Sequence, residues 1–369
     1  MNIRFAENGD LAAIARLNDR LRAGGNEHRL PLDPSLPGEE QYRPEGFPVY
    51  RRWMVLEDGQ EIRSALQLCH HNVFLFGEKR VFCWADFPIC EGIVDRRYSL
   101  TIIQLLKGAM KYQPFLMGLG AGSSGADSLM MKLGWRREYV PFFFYPVKAT
   151  RALLGLTYLK RPKLRYGAIA GAWSGLGLGL SGILALRRRL AASPDCEAIE
   201  ELAFGEWADT VFTNSLADYS VAVRCDSTTL NILYPPDDSR LVRMRVRRRG
   251  NGDDLGWVIV ANKRMSNSDH FGNLNVGTLV DGFGKAADVP ILVSAAIRRL
   301  VELDCDIIVT NVSHAAWVRA CRHLGMIPGP SNFQFFAAPG ASPILEPSCP
   351  LRDIHLTRGL QSNALWALV

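Results

Sequence analysis

The sequence predicts an α/β protein made of two tandem copies of one unit, each a mixed sheet flanked by helices. Three observations carry that expectation. First, apolar stretches of strand and helix period alternate along most of the chain. Second, the order repeats. Residues 99–145 run helix, Phe115-Leu116-Met117-Gly118, helix, Lys132-Leu133-Gly134-Trp135, then Phe142-Phe143-Phe144. Residues 288–337 run helix, Ile307-Ile308-Val309-Thr310, helix, His323-Leu324-Gly325-Met326, then Phe333-Gln334-Phe335-Phe336. The step from Met117 to Gly134 equals that from Ile308 to Gly325, so one αβ unit occurs twice. Third, 369 residues with 48% hydrophobic and 22% charged side chains suffice for two cores and exclude a disordered chain. The expected boundaries are 1–150 for the first domain, 151–195 for a basic, Gly-rich helical linker, and 196–369 for the second domain with a C-terminal tail.

The elements follow in order. Ile3 to Phe5 is a short strand. Leu11, Ile14, Leu17 and Leu21 form a helical stripe that Gly24-Gly25 ends. Residues 26–50, with four prolines, are a long loop. Trp53 to Leu56 and Ile62 to His70 are strands, and Val81 to Ile93 is extended. A helix over 99–112, a strand over 115–119, a glycine-rich turn, a helix over 124–133 and a strand over 140–147 complete the first half. In the second half, 195–210 is expected to be helical. Strands are expected over 220–224, 241–247, 256–262 and 273–280. Asp288 caps a helix with Pro290 in its first turn. A strand over 305–310, a helix over 313–324 and a strand over 332–337 follow.

Residues 151–189 hold eight arginines and lysines and no acid, while the whole chain is only +6, so the remainder is net negative. This local charge excludes a broad basic nucleic-acid face and points to one anionic partner or a membrane surface. None of the eight cysteines forms a CxxC pair, and several lie in apolar runs. Buried thiols in a reducing, cytoplasmic setting are expected, without a disulfide framework or a zinc site. The start lacks the apolar core of a signal peptide.

The repeat unit resembles the C-terminal half of the GNAT family of N-acetyltransferases, whose last helix ends in Leu-Gly-Phe. Here the endings are Leu133-Gly134-Trp135 and Leu324-Gly325-Met326. The opening strand Ile3-Arg4-Phe5 and its following helix also resemble that family's opening, and by pattern the chain resembles the tandem proteins of this kind associated with polysaccharide biosynthesis. The resemblance covers about 1–150 and 196–340. It implies two acyl-CoA N-acyltransferase-like domains, acetyl-CoA or another acyl-CoA as co-substrate, no metal, and a small-molecule or sugar-type amine as acceptor.

In that family the CoA pyrophosphate lies on a glycine-rich loop opening the helix after a central strand, where bare N–H groups and the helix dipole meet the anion. In the first copy Arg97 fits the loop's cation, but Leu100 and Ile102 stand where glycines belong. In the second copy Gly284, Ala286 and Ala287 are small and Lys285 could meet a phosphate. The second copy is therefore the expected cofactor site. The family's thiolate-protonating tyrosine is replaced by Met130 and Cys321. Candidate bases beside the loops are Asp281, Asp86 and His314. Asn311 lies at a strand-to-helix junction and is a candidate substrate contact. Arg243, Arg245 and Arg247 alternate with apolar residues along one strand, a basic face for an anionic acceptor or a solvated surface.

Tyr166 to Leu186 carries no charge and has glycines at 167, 171, 175 and 179. A packed linker, an interfacial membrane contact through 160–189, and a membrane span all fit this pattern. Three functions fit the whole: acyl-CoA-dependent N-acyl transfer, an inactive scaffold or membrane-associated accessory protein, and aminoacyl transfer as in FemX-like tandem proteins. The first is the leading expectation.

Overall fold

The computed structural model describes residues 1–26, 48–121, 124–157, 195–223, 225–341 and 344–360, with Leu30, Gly179 and Gly182 besides. The strands of the first half are β1 (Asn2–Phe5), β2 (Val49–Asp58), β3 (Glu61–Leu75), β4 (Glu78–Cys90), β5 (Leu116–Ala121), β6 (Arg136–Tyr139) and β7 (Phe142–Pro146). Those of the second are β8 (Cys196–Glu201), β9 (Val221–Val223), β10 (Leu241–Arg248), β11 (Asp254–Arg264), β12 (Asn275–Gly284), β13 (Ile307–Asn311), β14 (Ile327–Gly329) and β15 (Phe333–Ala337). The helices are α1 (Leu11–Ala23), α2 (Thr101–Tyr112), α3 (Ser124–Lys132), α4 (Ala149–Gly155), α5 (Glu206–Ser215), α6 (Ser227–Leu233), α7 (Val289–Glu302) and α8 (Ala315–His323).

These elements form two compact units. Unit 1 comprises 1–74, 78–139 and 334–350; unit 2 comprises 75–77, 140–333 and 351–369. In unit 1 the sheet order is β1-β2-β3-β4-β5-β15-β6. Strand alternation on β2 decides which helix covers which face. Trp53 and Val55 join the cluster with Ile14, Leu17 and Leu21 of α1. Met54 and Leu56 join the cluster with Leu105, Leu106 and Ala109 of α2. Gly134, at φ 82°, closes α3 in the left-handed conformation that glycine adopts freely.

In unit 2 the order is β14-β7-β13-β12-β11-β10-β8, with β12 and β13 parallel. Helix α7 buries Val289, Leu292, Val293, Ala296, Ile297 and Leu300. Gly325, at φ 87°, closes α8 as Gly134 closes α3.

The units do not follow the two sequence halves. The aromatic strand β7 pairs antiparallel with β13, Phe144 opposite Val309, inside unit 2. The aromatic strand β15 pairs with β6, Phe336 opposite Arg137, inside unit 1. Each sheet is thus completed by a strand from the other half of the chain. A second difference concerns 195–210, where a helix is expected. Residues 196–201 instead form strand β8 beside the arginine-rich β10. The arginines select this state: Arg245 lies 3.6 Å from Glu201, and Arg247 3.6 Å from Glu197. Cross-strand pairing overrides the helix preference of a Glu- and Ala-rich segment. Helix α6, unanticipated, is capped by Asp226, whose side chain accepts from Thr229 N.

All eight cysteines are buried free thiols. The expected contacts of 160–189 lie outside the described residues apart from Gly179 and Gly182. Among the described residues no helix is long and apolar enough to cross a membrane.

Candidate functional site

In unit 2, β12 and β13 pair from Val276↔Ile307 to Thr278↔Val309. Between Leu279 and Asp281 the register of β12 against β11 shifts, a bulge at Val280. The strand then runs on through Asp281-Gly282-Phe283-Gly284. Asp281 is 2% exposed. Its Oδ2 accepts from Tyr234 Oη at 2.6 Å, and its Oδ1 from Thr357 Oγ1 at 2.7 Å and Gly282 N at 2.8 Å. Burial raises its pKa to about 6, against the opposing pull of these donors. Its oxygens are therefore engaged by the protein itself, which sets this carboxylate apart from a base facing a substrate.

The donor Thr357 belongs to the C-terminal segment. Val312 and Thr357 form an antiparallel bridge, and Val221 and Ile354 a parallel one. His355 Nε2 donates to Gly282 O at 2.8 Å, Ser313 N to Leu356 O at 3.1 Å, and Arg358 Nε to Asn311 Oδ1 at 2.8 Å. Residues 353–358 thus run across the carboxyl ends of β12 and β13. A Cβ at Gly359 would lie 2.1 Å from Tyr234 Oη, so the backbone itself seals this contact.

The second-copy loop is engaged in the same way. Gly284 and Gly256 allow backbone packing: a Cβ on Gly284 would lie 2.5 Å from Leu255 O. Ala286 N donates to Asp218 Oδ2 at 2.7 Å, so a carboxylate of the chain holds an anion's place there. Asp288 adds a second carboxylate, 3.9 Å from Arg248. Lys285 and Ala287 are exposed. His314 caps α8, its Nδ1 accepting from Ala316 N, and packs on Tyr219 with ring centroids 4.5 Å apart; burial lowers its pKa. Arg243 is 4% exposed and donates to the carbonyls of Tyr234, Pro235 and Leu241. Arg245 pairs with Asp254 at 2.6 Å. The structure therefore gathers Asp281, His314 and Asn311 around one buried cluster, and directs Arg243 and Arg245 to internal partners. Tyr219, Tyr234, His355 and Thr357 complete that cluster. Nothing in their spacing marks them, although His355 stands out as a histidine between Ile354 and Leu356.

In unit 1, β4 and β5 pair in parallel at Cys83↔Leu116 and Trp84↔Met117. Phe87, at φ 47°, then takes β4 out of extended geometry, a conformation an aromatic residue rarely adopts. Asp86, beside it, is 7% exposed. A tight turn carries the chain from β4 to α2. Cys90 Sγ donates to Tyr98 O at 3.2 Å, and Thr101 Oγ1 donates to the same carbonyl at 2.6 Å. Buried Glu91 anchors the turn through Arg63 at 2.9 Å and Arg20 at 3.0 Å. Gln104 N donates to Leu100 O at 3.2 Å, so the N–H groups of Thr101, Ile102 and Ile103, in the first turn, have no i−4 partner within the helix. Arg96 and Arg97 stand exposed beside it, Arg97 at 2.6 Å from Asp95. A Cβ on Gly92 would fall 2.5 Å from Ser99 Cα. Gly92→Ala is thus expected to cost about 1–3 kcal/mol and lower the melting temperature by about 5 °C in a calorimetric scan.

His70 and His71 are both buried, and among the described residues no three potential ligands converge on a metal site.

No family profile matches the chain, and no curated protein sequence matches it. Solved structures do. N-myristoyltransferase of Saccharomyces cerevisiae with bound myristoyl-CoA superposes with a TM-score of 0.52 at 7% identity, over 91% of this chain and 78% of that one. A GCN5-related N-acetyltransferase from Anabaena variabilis gives 0.52 at 9% identity, over 91% and 73%. A probable N-acyltransferase from Enterococcus faecalis gives 0.51 at 7%, over 91% and 71%. At these identities the likeness concerns the fold, and the chain has the mixed α/β fold of the GNAT-type acyltransferases.

Proposed function

We propose that the chain is an acyl-CoA-dependent N-acyltransferase that takes its donor in unit 1. The carrying observation is the start of α2: the N–H groups of its first turn and the positive end of the helix dipole follow directly on exposed Arg96 and on Arg97, whose guanidinium is exposed but paired with Asp95. Those features suit a pyrophosphate. The acyl-pantetheine arm then follows the carboxyl half of β4, past the displaced backbone at Phe87. Asp86 is the carboxylate there that takes the amine's proton. The acceptor enters as an ammonium: Asp86 takes its first proton, the neutral amine attacks the thioester carbonyl, the C–S bond breaks, the thiolate leaves with the second proton as free CoA thiol, and the amide nitrogen keeps the third. An amino group on a sugar or polysaccharide precursor is the acceptor class this reading tries first.

The preference for unit 1 over unit 2 is supported by what the chain itself places in unit 2. Residues 353–358 cross the ends of β12 and β13, and Asp218 takes the N–H of Ala286. Calorimetric titration with acetyl-CoA and with myristoyl-CoA tests the proposal. The paired change Arg96→Ala, Arg97→Ala is expected to weaken binding about ten-fold, and Lys285→Ala to leave it unchanged. The reverse pattern moves the donor to unit 2. Absence of binding by either acyl-CoA defeats the acyltransferase reading and leaves the scaffold and aminoacyl-transfer alternatives.

A further inference from the structure

Unit 1 holds a pair of buried acceptor atoms without donors. Asp127 lies in the first turn of α3, the helix that follows β5 in the chain. Its Oδ2 accepts from Gln334 Nε2 of β15 at 2.7 Å. Its Oδ1 is buried without a hydrogen-bond partner, and so is Oε1 of Gln334, a residue only 5% exposed.

Two lone acceptors cannot satisfy each other. A carboxylate with a buried, unpaired oxygen is costly unless a cation or strong donor completes it. The Gln334 amide is already turned so that its N–H faces the carboxylate and its carbonyl is left over, so both residues call for a further donor, and the carboxylate favours a charged one. An ammonium carries three N–H donors and one charge, and matches both oxygens.

The pair also stands at the right edge of the sheet. Because β4 and β5 are parallel, the helix starts that follow them, those of α2 and α3, lie at the same edge. Ala338 N donates to Leu116 O, so Gln334, earlier on β15, sits toward the carboxyl end of β5.

We propose that Asp127 and Gln334 seat the ammonium group of the acceptor amine. This deepens the acyltransferase reading and rests on it for the identity of the ligand as acceptor. Asp127→Asn keeps an oxygen for the Gln334 N–H while removing the charge, so it tests the seat without opening the core.

The first experiment needs no acyl donor. The side-chain amide signal of Gln334, identified by its loss in Gln334→Met, is followed by nitrogen-15 NMR during titration of the full chain with methylammonium chloride. The signal is expected to shift with methylammonium, to ignore tetramethylammonium chloride, which has no N–H, and to stay still in Asp127→Asn. No shift with methylammonium, or an equal shift in Asp127→Asn, overturns the seat. The second experiment uses acetyl-CoA and a panel of primary amines, glucosamine and spermidine among them, reading thiol release. Asp127→Asn is expected to raise the amine KM about ten-fold with the acetyl-CoA Kd unchanged. An unchanged KM also overturns the seat. If the wild type fails to bind acetyl-CoA, the acyltransferase reading falls, and the NMR result alone decides whether an ammonium seat exists.

Discussion

Ending the chain after Pro350 should leave unit 2 without a fixed core. The removed residues include Ile354, Leu356 and Leu360, which are 0%, 2% and 1% exposed. Each fully buried aliphatic side chain of this size stabilises by roughly 1.5–3 kcal/mol, before any cost for the cavity it leaves. Together they amount to roughly 5 kcal/mol or more, comparable to the whole stability of a typical domain. The loss does not stop with apolar area. Asp281 loses the Thr357 hydroxyl, and Gly282 O loses the His355 ring that donates to it. A buried carboxylate stripped of one of its donors adds its own penalty. The truncated protein should therefore lose near-ultraviolet circular dichroism from unit 2 and bind a hydrophobic dye, while keeping much of its secondary structure. Melting indistinguishable from the full chain would show that residues 351–360 rest on unit 2 without being part of its core. Leu356→Ala is the milder version, at about 2–5 kcal/mol.

This segment also shows where the sequence stops being legible. The repeat could be read because its punctuation has a physical basis: Gly134 and Gly325 both take the left-handed conformation that ends a helix, at φ 82° and 87°. The exchange of β7 and β15 could not. Phe142-Phe143-Phe144 and Phe333-Gln334-Phe335-Phe336 are both suited to a buried strand, and apolar patterning fixes which face is buried without naming the partner strand. Residues 351–360 have neither period two nor period 3.6, because they are held by single bridges to Val221 and Val312 and not by a ladder. For the site, the sequence marks Asp281 as a strand-end acid but is silent on its partners. Tyr234 and Thr357 reach it from 47 and 76 residues away. Gly284 illustrates the opposite trap. Small residues at a strand-to-helix loop suit a phosphate, yet here the glycine serves the close approach of β11 and α7.

Acid should unfold unit 1 well before unit 2. Burial lowers the pKa of His70 to about 4 and of His71 to about 3, from an ordinary value of 6.5. Both rings are neutral in the folded unit. Below pH 6.5 the unfolded chain binds their protons and the folded one does not, so stability is lost as pH falls until the folded values are reached. At pH 4.5 each ring has cost about 2.7 kcal/mol, on the order of 5 kcal/mol for the pair. Asp10 and Glu57, both held low by hydrogen bonds from Arg4, act in the same direction at lower pH still. Unit 2 behaves differently because a buried carboxylate opposes its buried histidines. His355, lowered to about 3 by burial, costs the same about 2.7 kcal/mol at pH 4.5. Asp281, raised by burial to about 6 from 3.8, binds a proton in the folded state first, and so adds about 2 kcal/mol as pH falls from 6 to 4.5. Asp281 thus offsets most of the His355 loss, and buried His314, also held below its ordinary pKa, acts in the direction of His355. Hydrogen exchange read by peptide mass at pH 7 and pH 4.5 should therefore show protection collapsing in α2 and β3 while β12 and α7 hold. His71→Gln, neutral at every pH, should recover about half of the loss in unit 1. Asp281→Asn should make unit 2 more acid-sensitive than in the unaltered chain, since it removes the compensating proton. Equal loss of protection in both units at pH 4.5 would show that the charge state of these three rings does not govern the transition.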